Sequence, residues 1–175
     1  MQENITLVQN GFRILLPDMA GYICRELSRV YKNGWWQEVL TALSDQYDLP
    51  SSGEYAELQD SLDVANCLRL IVRRWNDVFR SKLSRDYHTW ATELMGVRNK
   101  VAHLGMQDIA QADAERALDT MARLCDGFDS DGAEEIRALY RKLRYGSEDA
   151  STSSAPAKGT TPTGKSKAVA AVLRH

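Results

Sequence analysis

Apolar residues recur along most of this chain at steps of three and four, and nowhere do they alternate with polar ones over a strand-length run. A period of 3.6 residues gathers such positions on one face, so the pattern predicts helices packed by apolar stripes. A first helix is expected over residues 3–15. Pro17 suits the first turn of a second, which runs through MAGYICRELSRVY to a stop at Asn33-Gly34. WWQEVLTALSDQY reads as a third helix and DLPSSGEY as a loop. From Asp60 on, Leu68, Ile71, Val72, Trp75 and Phe79 fall at i, i+3, i+4, i+7 and i+11, the signature of one amphipathic helix. Ser84 is placed to cap the next helix and Asp108 the one through ALDTMARLC. AEEIRALYRKLRY forms the last and ends at Gly146. The expected fold class is all-α, an antiparallel bundle of five to seven helices.

Composition then divides the chain at Gly146. Residues 1–146 form a helical domain, and residues 147–175 a flexible linker or tail rich in Ser, Thr, Ala and Pro. The tail segment SEDASTSSAPAKGTTPTGKSK has almost nothing to bury. The closing AVAAVLRH can form a turn or two of helix against a partner. Within the tail, GTTPTGKS (159–166) fits the phosphate-loop pattern G-x4-G-K-[ST]. That loop binds phosphate only between a buried strand and a departing helix. Here STSSAPAK precedes it and nine residues follow, so we read a chance match.

Charge narrows the function classes. The net charge of -2 gives no global attraction to nucleic acid. Residues 1–146 carry 18 Lys+Arg against 22 Asp+Glu, so any RNA must be held by a local patch. No apolar run approaches the roughly 20 residues that span a membrane. MQENITLVQNGF has no basic segment before an apolar block, so no secretory signal is expected. Cys24, Cys67 and Cys125 stand far apart, with no CxxC and no ligand-like spacing to histidine. They read as small buried residues in a reducing compartment, and a cytoplasmic protein with no metal or other cofactor is expected.

One stretch carries chemistry. RNKVAHLG (98–105) places Arg98, Asn99 and His103 within six positions of a chain with 3 histidines. On an ideal helix from Ser84 to Leu104, residues Tyr87, Trp90, Leu94, Val97, Val101 and Leu104 cluster in a core-facing arc of about 100°. Thr92, Gly96, Asn99 and His103 fall on nearly the opposite side, at i, i+4, i+7 and i+11. A strip of small and polar residues lets another backbone approach, most simply the same helix of a second copy. A solvated face is the other reading, of about equal weight. Arg98 stands about 140° from His103, so the two do not converge within one helix but could meet across a two-fold dimer. An Arg followed by His at such spacing arises by chance nearly once in a chain of this composition, so the surroundings must carry the claim.

The surroundings are specific. Trp35-Trp36, then Trp75-Asn76-Asp77-Val78-Phe79, then Glu93-Leu94 with Val97-Arg98-Asn99 and Ala102-His103, then Arg116-Ala117-Leu118-Asp119-Thr120-Met121 occur in order between residues 12 and 125. With its R-x4-H helix, this series resembles the HEPN superfamily. It is closest to the branch shared by an mRNA-surveillance endoribonuclease and the front domains of defence-linked prokaryotic ATPases. The resemblance implies a helical homodimer with the two R-x4-H helices face to face. In active members it implies metal-independent RNA cleavage by Arg98, Asn99 and His103, leaving a 2′,3′-cyclic phosphate. The residue types suit that chemistry. An imidazole, whose unperturbed pKa is near 6.5, can take the proton from a ribose 2′-OH, and a guanidinium can hold the phosphate as charge builds on it. Asn99 could orient the imidazole or contact the phosphate, and Glu93 is placed to pair with Arg98 or another basic residue.

RNA contacts are expected on two arginine stripes, Arg69, Arg73 and Arg80, and Arg137, Arg141 and Arg144. Taken alone, each stripe is more often a solvated face balanced by acids. Trp75 and Trp90 sit on apolar stripes and read as core. Two functional readings follow. The first is a HEPN endoribonuclease, a toxin-like or antiviral effector that an inhibitory partner restrains. The second is a non-catalytic module that dimerises or binds RNA and is tethered by the tail to a larger assembly such as an ATPase. The tail favours the second, and the intact Arg98-Asn99-His103 set the first.

Overall fold

The computed structural model describes residues 3–129 and 131–152. The described residues are helical with no strand, as the patterning predicts. Seven α-helices follow in order: α1 (Glu3–Tyr31), α2 (Trp35–Ala42), α3 (Tyr55–Asp60), α4 (Val64–Arg73), α5 (Arg85–His103), α6 (Gln111–Asp126) and α7 (Gly132–Thr152). A 3-10 turn, Lys32–Gly34, joins α1 to α2, and a π-helical turn, Trp75–Phe79, follows α4.

α1 is one helix of 29 residues, not two. Pro17 removes a backbone N–H from its middle, which typically costs about 3 kcal/mol. The proline is exposed, however, and so is Arg13, whose carbonyl it leaves without an intrahelical partner. On the other face Leu15, Met19, Ile23 and Leu27 are wholly buried. Each such side chain is worth about 1.5–3 kcal/mol of burial, so keeping them in phase outweighs the break. α1 forms the spine, packing on α2, α3, α4, α6 and α7. Gly11 lets α6 come close, because a Cβ there would stand 2.7 Å from both Leu118 and Met121. The left-handed residue after α1 is Lys32 (φ 55°), while Gly34 is right-handed (φ -87°), so the glycine is not the stop.

The helix expected from Asp60 is likewise divided. Asp63 caps α4 by accepting from the Asn66 N–H at 2.7 Å, which forces a new start three residues after α3 ends. After Arg73 the Arg80 N–H reaches back five residues to the Trp75 carbonyl. That wider turn shifts the phase, so an i+11 spacing no longer returns Arg80 to the face of Arg69. Trp75 and Trp90 are half-buried against the core, Trp75 edge-on to His88 at 5.4 Å between ring centres. Ser84 does stand at the N-terminus of α5, without a side-chain capping bond. α7 continues past Gly146 to Thr152, since one exposed glycine costs a helix only about 1 kcal/mol. The expected tail, with GTTPTGKS and AVAAVLRH, lies otherwise outside the described residues.

All three cysteines are buried, and burial pushes the Cys24 thiol up to about 12. No described helix is long and apolar enough to cross a membrane.

Asp108 caps a helix, but not the one that follows it. α6 begins at Gln111 behind Ala110, with no side-chain cap. The Asp108 carboxylate instead accepts the backbone N–H groups of Ile5 (2.8 Å), Asn4 (3.1 Å) and its neighbour Ile109 (2.9 Å). The Asn4 side chain answers by donating to the Ile109 carbonyl at 2.8 Å. The start of the spine is thus tied to the loop that leaves α5. Burial opposes ionisation of Asp108, but the three N–H bonds outweigh it and hold the carboxyl below its usual range. Stability from this group is therefore present above the unfolded-state value near 4 and is lost as pH falls below it. Asp108→Ala should cost about 1–2 kcal/mol in urea unfolding at neutral pH. The gap to wild type should narrow as the pH is taken below about 4.

Candidate active site on the fifth helix

α5 is the least enclosed of the long helices described, packed chiefly on α4 and α6. Only Ala91 and Leu94 are fully buried among its 19 residues. Tyr87, Trp90, Val97, Val101 and Leu104 are half-buried and lie against the core from either side. The buried line therefore centres on Ala91 and Leu94, and Ala91 lay outside the arc expected from sequence. Arg98 continues that line, since 87, 91, 94 and 98 follow at i, i+4, i+7 and i+11. Arg98 itself is half-buried.

Thr92, Gly96, Asn99 and His103 are all exposed. The Thr92 hydroxyl donates to the His88 carbonyl within its own helix at 2.9 Å, and a Cβ on Gly96 would meet nothing within 4 Å. This leaves a bare strip of backbone along the outer face. Asn99 Oδ1 accepts from Arg98 Nη1 at 3.4 Å, so Asn99 is engaged with the arginine. Among the described residues no bond joins His103 to Arg98 or to Asn99. One chain presents Arg98 on the packed side of the helix and Asn99 and His103 on its outer strip.

The acid expected near Arg98 is committed elsewhere. Glu93 accepts from Arg116 Nε of α6 at 2.5 Å. Two turns on, Lys100 reaches Asp113 of α6 at 3.4 Å. These pairs cross a cleft of about 270 Å³ between α5 and α6, floored by Val97, Val101, Ile109 and Ala117 and open beside Gly96. Among the described residues no carboxylate pairs with Arg98. Sequence gave no sign of this cleft: its four charged residues sit 13 and 23 positions from their partners, on separate helices.

The two arginine stripes are largely occupied. Arg73 forks onto Asp45 at 2.8 and 3.2 Å and donates to the Ala42 carbonyl at 2.7 Å. That hydrogen bond holds the Asp45 carboxyl down at about 2. Arg137 pairs with Asp126 and, at 3.3 Å, with Glu134, which Arg141 also approaches at 4.0 Å. Arg144 donates to the Tyr140 hydroxyl at 2.7 Å and stands 4.0 Å from Glu115. Arg69 is half-buried and Arg80 exposed. No group of three or more His, Cys, Asp or Glu among the described residues is arranged to hold a metal ion.

Residues 10–129 match the Swt1-like HEPN family, and the chain belongs to it. No curated protein and no solved structure matches the chain.

Because Gly96 is an exposed, unobstructed position inside a helix, Gly96→Ala should raise stability by about 0.5–1 kcal/mol in dilute solution. Thermal and urea unfolding would measure this. A loss instead of a gain would mean that this strip is covered.

Proposed function

We propose, from membership of the Swt1-like HEPN family as the premise, that this chain is a metal-independent endoribonuclease built from two copies. The observation that carries the reading is the separation of Arg98 and His103. Arg98 emerges from the packed side of α5, half-buried and without a carboxylate partner among the described residues, while His103 is exposed on the outer side. A guanidinium without a carboxylate partner is free to hold an anion bidentately, and a scissile phosphate is such an anion. Two α5 helices laid together along Thr92, Gly96, Asn99 and His103 would bring one copy's arginine toward the other's histidine.

In this arrangement the neutral imidazole of His103 takes the proton from a ribose 2′-OH. The 2′ oxygen attacks the adjacent phosphorus, the bond to the 5′ oxygen breaks as that oxygen takes up the proton now held by the His103 imidazolium, directly or through water, and a 2′,3′-cyclic phosphate and a 5′-OH remain. Arg98 holds the non-bridging oxygens as charge grows, and Asn99 steadies Arg98 through the bond already present. A defence or toxin role follows if the activity is restrained by a partner until needed.

One observation favours the second reading, a non-catalytic module that dimerises or joins a larger assembly such as an ATPase. Arg73, Arg137, Arg141 and Arg144 are already paired within the chain, which leaves little free positive charge to gather RNA.

Purified protein should cut mixed transfer and messenger RNA in excess chelator. Arg98→Ala and His103→Ala should each lower the rate by about 100-fold or more while eluting as the same oligomer. An intact dimer that cuts nothing supports the module. Gly96→Leu should leave the chain folded and shift it toward the monomer, read by size-exclusion elution at graded concentration.

A further inference from the structure

The cleft between α5 and α6 is separate from the arginine and histidine but borders them. Gly96 and Lys100 form its margin on α5, and on the helix surface these positions neighbour Asn99 and His103. Lys100 and Gly96 lie about 4.5 and 10.5 Å along the axis from His103, the reach of one nucleotide. The cleft has an apolar floor of Val97, Val101, Ile109 and Ala117 and a charged rim of Glu93, Lys100, Asp113 and Arg116.

The rim carries two acids and two bases, so it offers no net attraction to a phosphate. What it offers is an apolar bed with hydrogen-bond acceptors and donors at its edge. That suits a planar, uncharged ring with polar edges, which is a nucleobase. The bare backbone at Gly96 lets such a ring slide in from the α5 face. Arg116, three-quarters exposed, can lie over the ring as a stacking lid. Of the two acids Glu93 is held at 2.5 Å by Arg116, whereas Asp113 is only 3.4 Å from Lys100 and more than half exposed. Asp113 is therefore the freer acceptor, and a carboxylate there selects bases that carry an exocyclic amino group.

We propose that this cleft seats a base of the substrate strand next to the cut and prefers adenine or cytosine over uracil. The proposal rests on the ribonuclease reading for its substrate, but it is tested by binding. Fluorescent hexamers of deoxyadenosine, deoxycytidine and deoxyuridine lack the 2′-OH and cannot be cut by the chemistry above. Titrated with the full chain, the first two should bind about tenfold more tightly than the third. Asp113→Leu, at an exposed position, should bring that ratio close to one. The added net positive charge strengthens all three hexamers alike, so the ratio, not the affinity, is the readout. Equal affinities in wild type, no binding at all, or a ratio unchanged by Asp113→Leu overturns the proposal. A protein that discriminates bases but cuts nothing fails as a nuclease and keeps the cleft. One that cuts with full dependence on Arg98 and His103 but binds the three hexamers equally keeps the nuclease and loses the cleft.

Discussion

A single helix can be surrounded only once, and in this bundle that helix is α1. Its 29 residues supply an unbroken apolar line, and α2, α3, α4, α6 and α7 take places around it. α5 is left to pack chiefly against α4 and α6 from outside. That one constraint explains why only Ala91 and Leu94 of α5 are fully buried, and why a strip of its backbone stays bare at Gly96. It also explains how Arg98 can begin on the packed side of the helix and still emerge. The same spine is anchored at its first turn by Asp108, in the loop leaving α5, so the end of the candidate catalytic helix and the start of the spine share one carboxylate.

Charge is distributed by the same logic. Arginines that face neighbouring helices find acids there: Arg116 finds Glu93, Arg73 finds Asp45 and Arg137 finds Asp126. Exposed pairs of this kind contribute little to stability, typically under about 1 kcal/mol. Their larger effect is to use up the nearby carboxylates. Glu93 turns away from Arg98 toward α6, and among the described residues Arg98 keeps only the amide oxygen of Asn99. The proposed site uses an arginine in that state to hold an anion supplied from outside the chain.

Much of this was legible in the sequence, because helical periodicity reports the face a residue occupies. The all-α class, the α5 segment and the exposure of Asn99 and His103 follow from spacing alone. The expectations that failed were ones that spacing does not contain. Local sequence marks Pro17 as a boundary because it does not reveal that the proline's face is solvated. Local sequence points Asp108 to the helix after it because a cap to residues 103 and 104 positions away leaves no local trace. The arc on α5 omits Ala91 because a small apolar residue weighs little in a stripe, although this one is fully buried. The α5–α6 cleft was invisible for the same reason as the Asp108 cap: its partners meet only after the chain has folded.

The central claim is that one working site takes its arginine from one copy and its histidine from another. Mixing the two inactive variants tests it most directly: Arg98→Ala protein combined with an equal amount of His103→Ala protein, allowed to exchange subunits, then assayed in excess chelator. Half of the re-formed dimers are mixed, and each mixed dimer holds one intact Arg98–His103 pair across the interface and one doubly defective pair. The account predicts recovery of about a quarter of the wild-type rate. A mixture as inactive as its two components, after verified exchange, would contradict it.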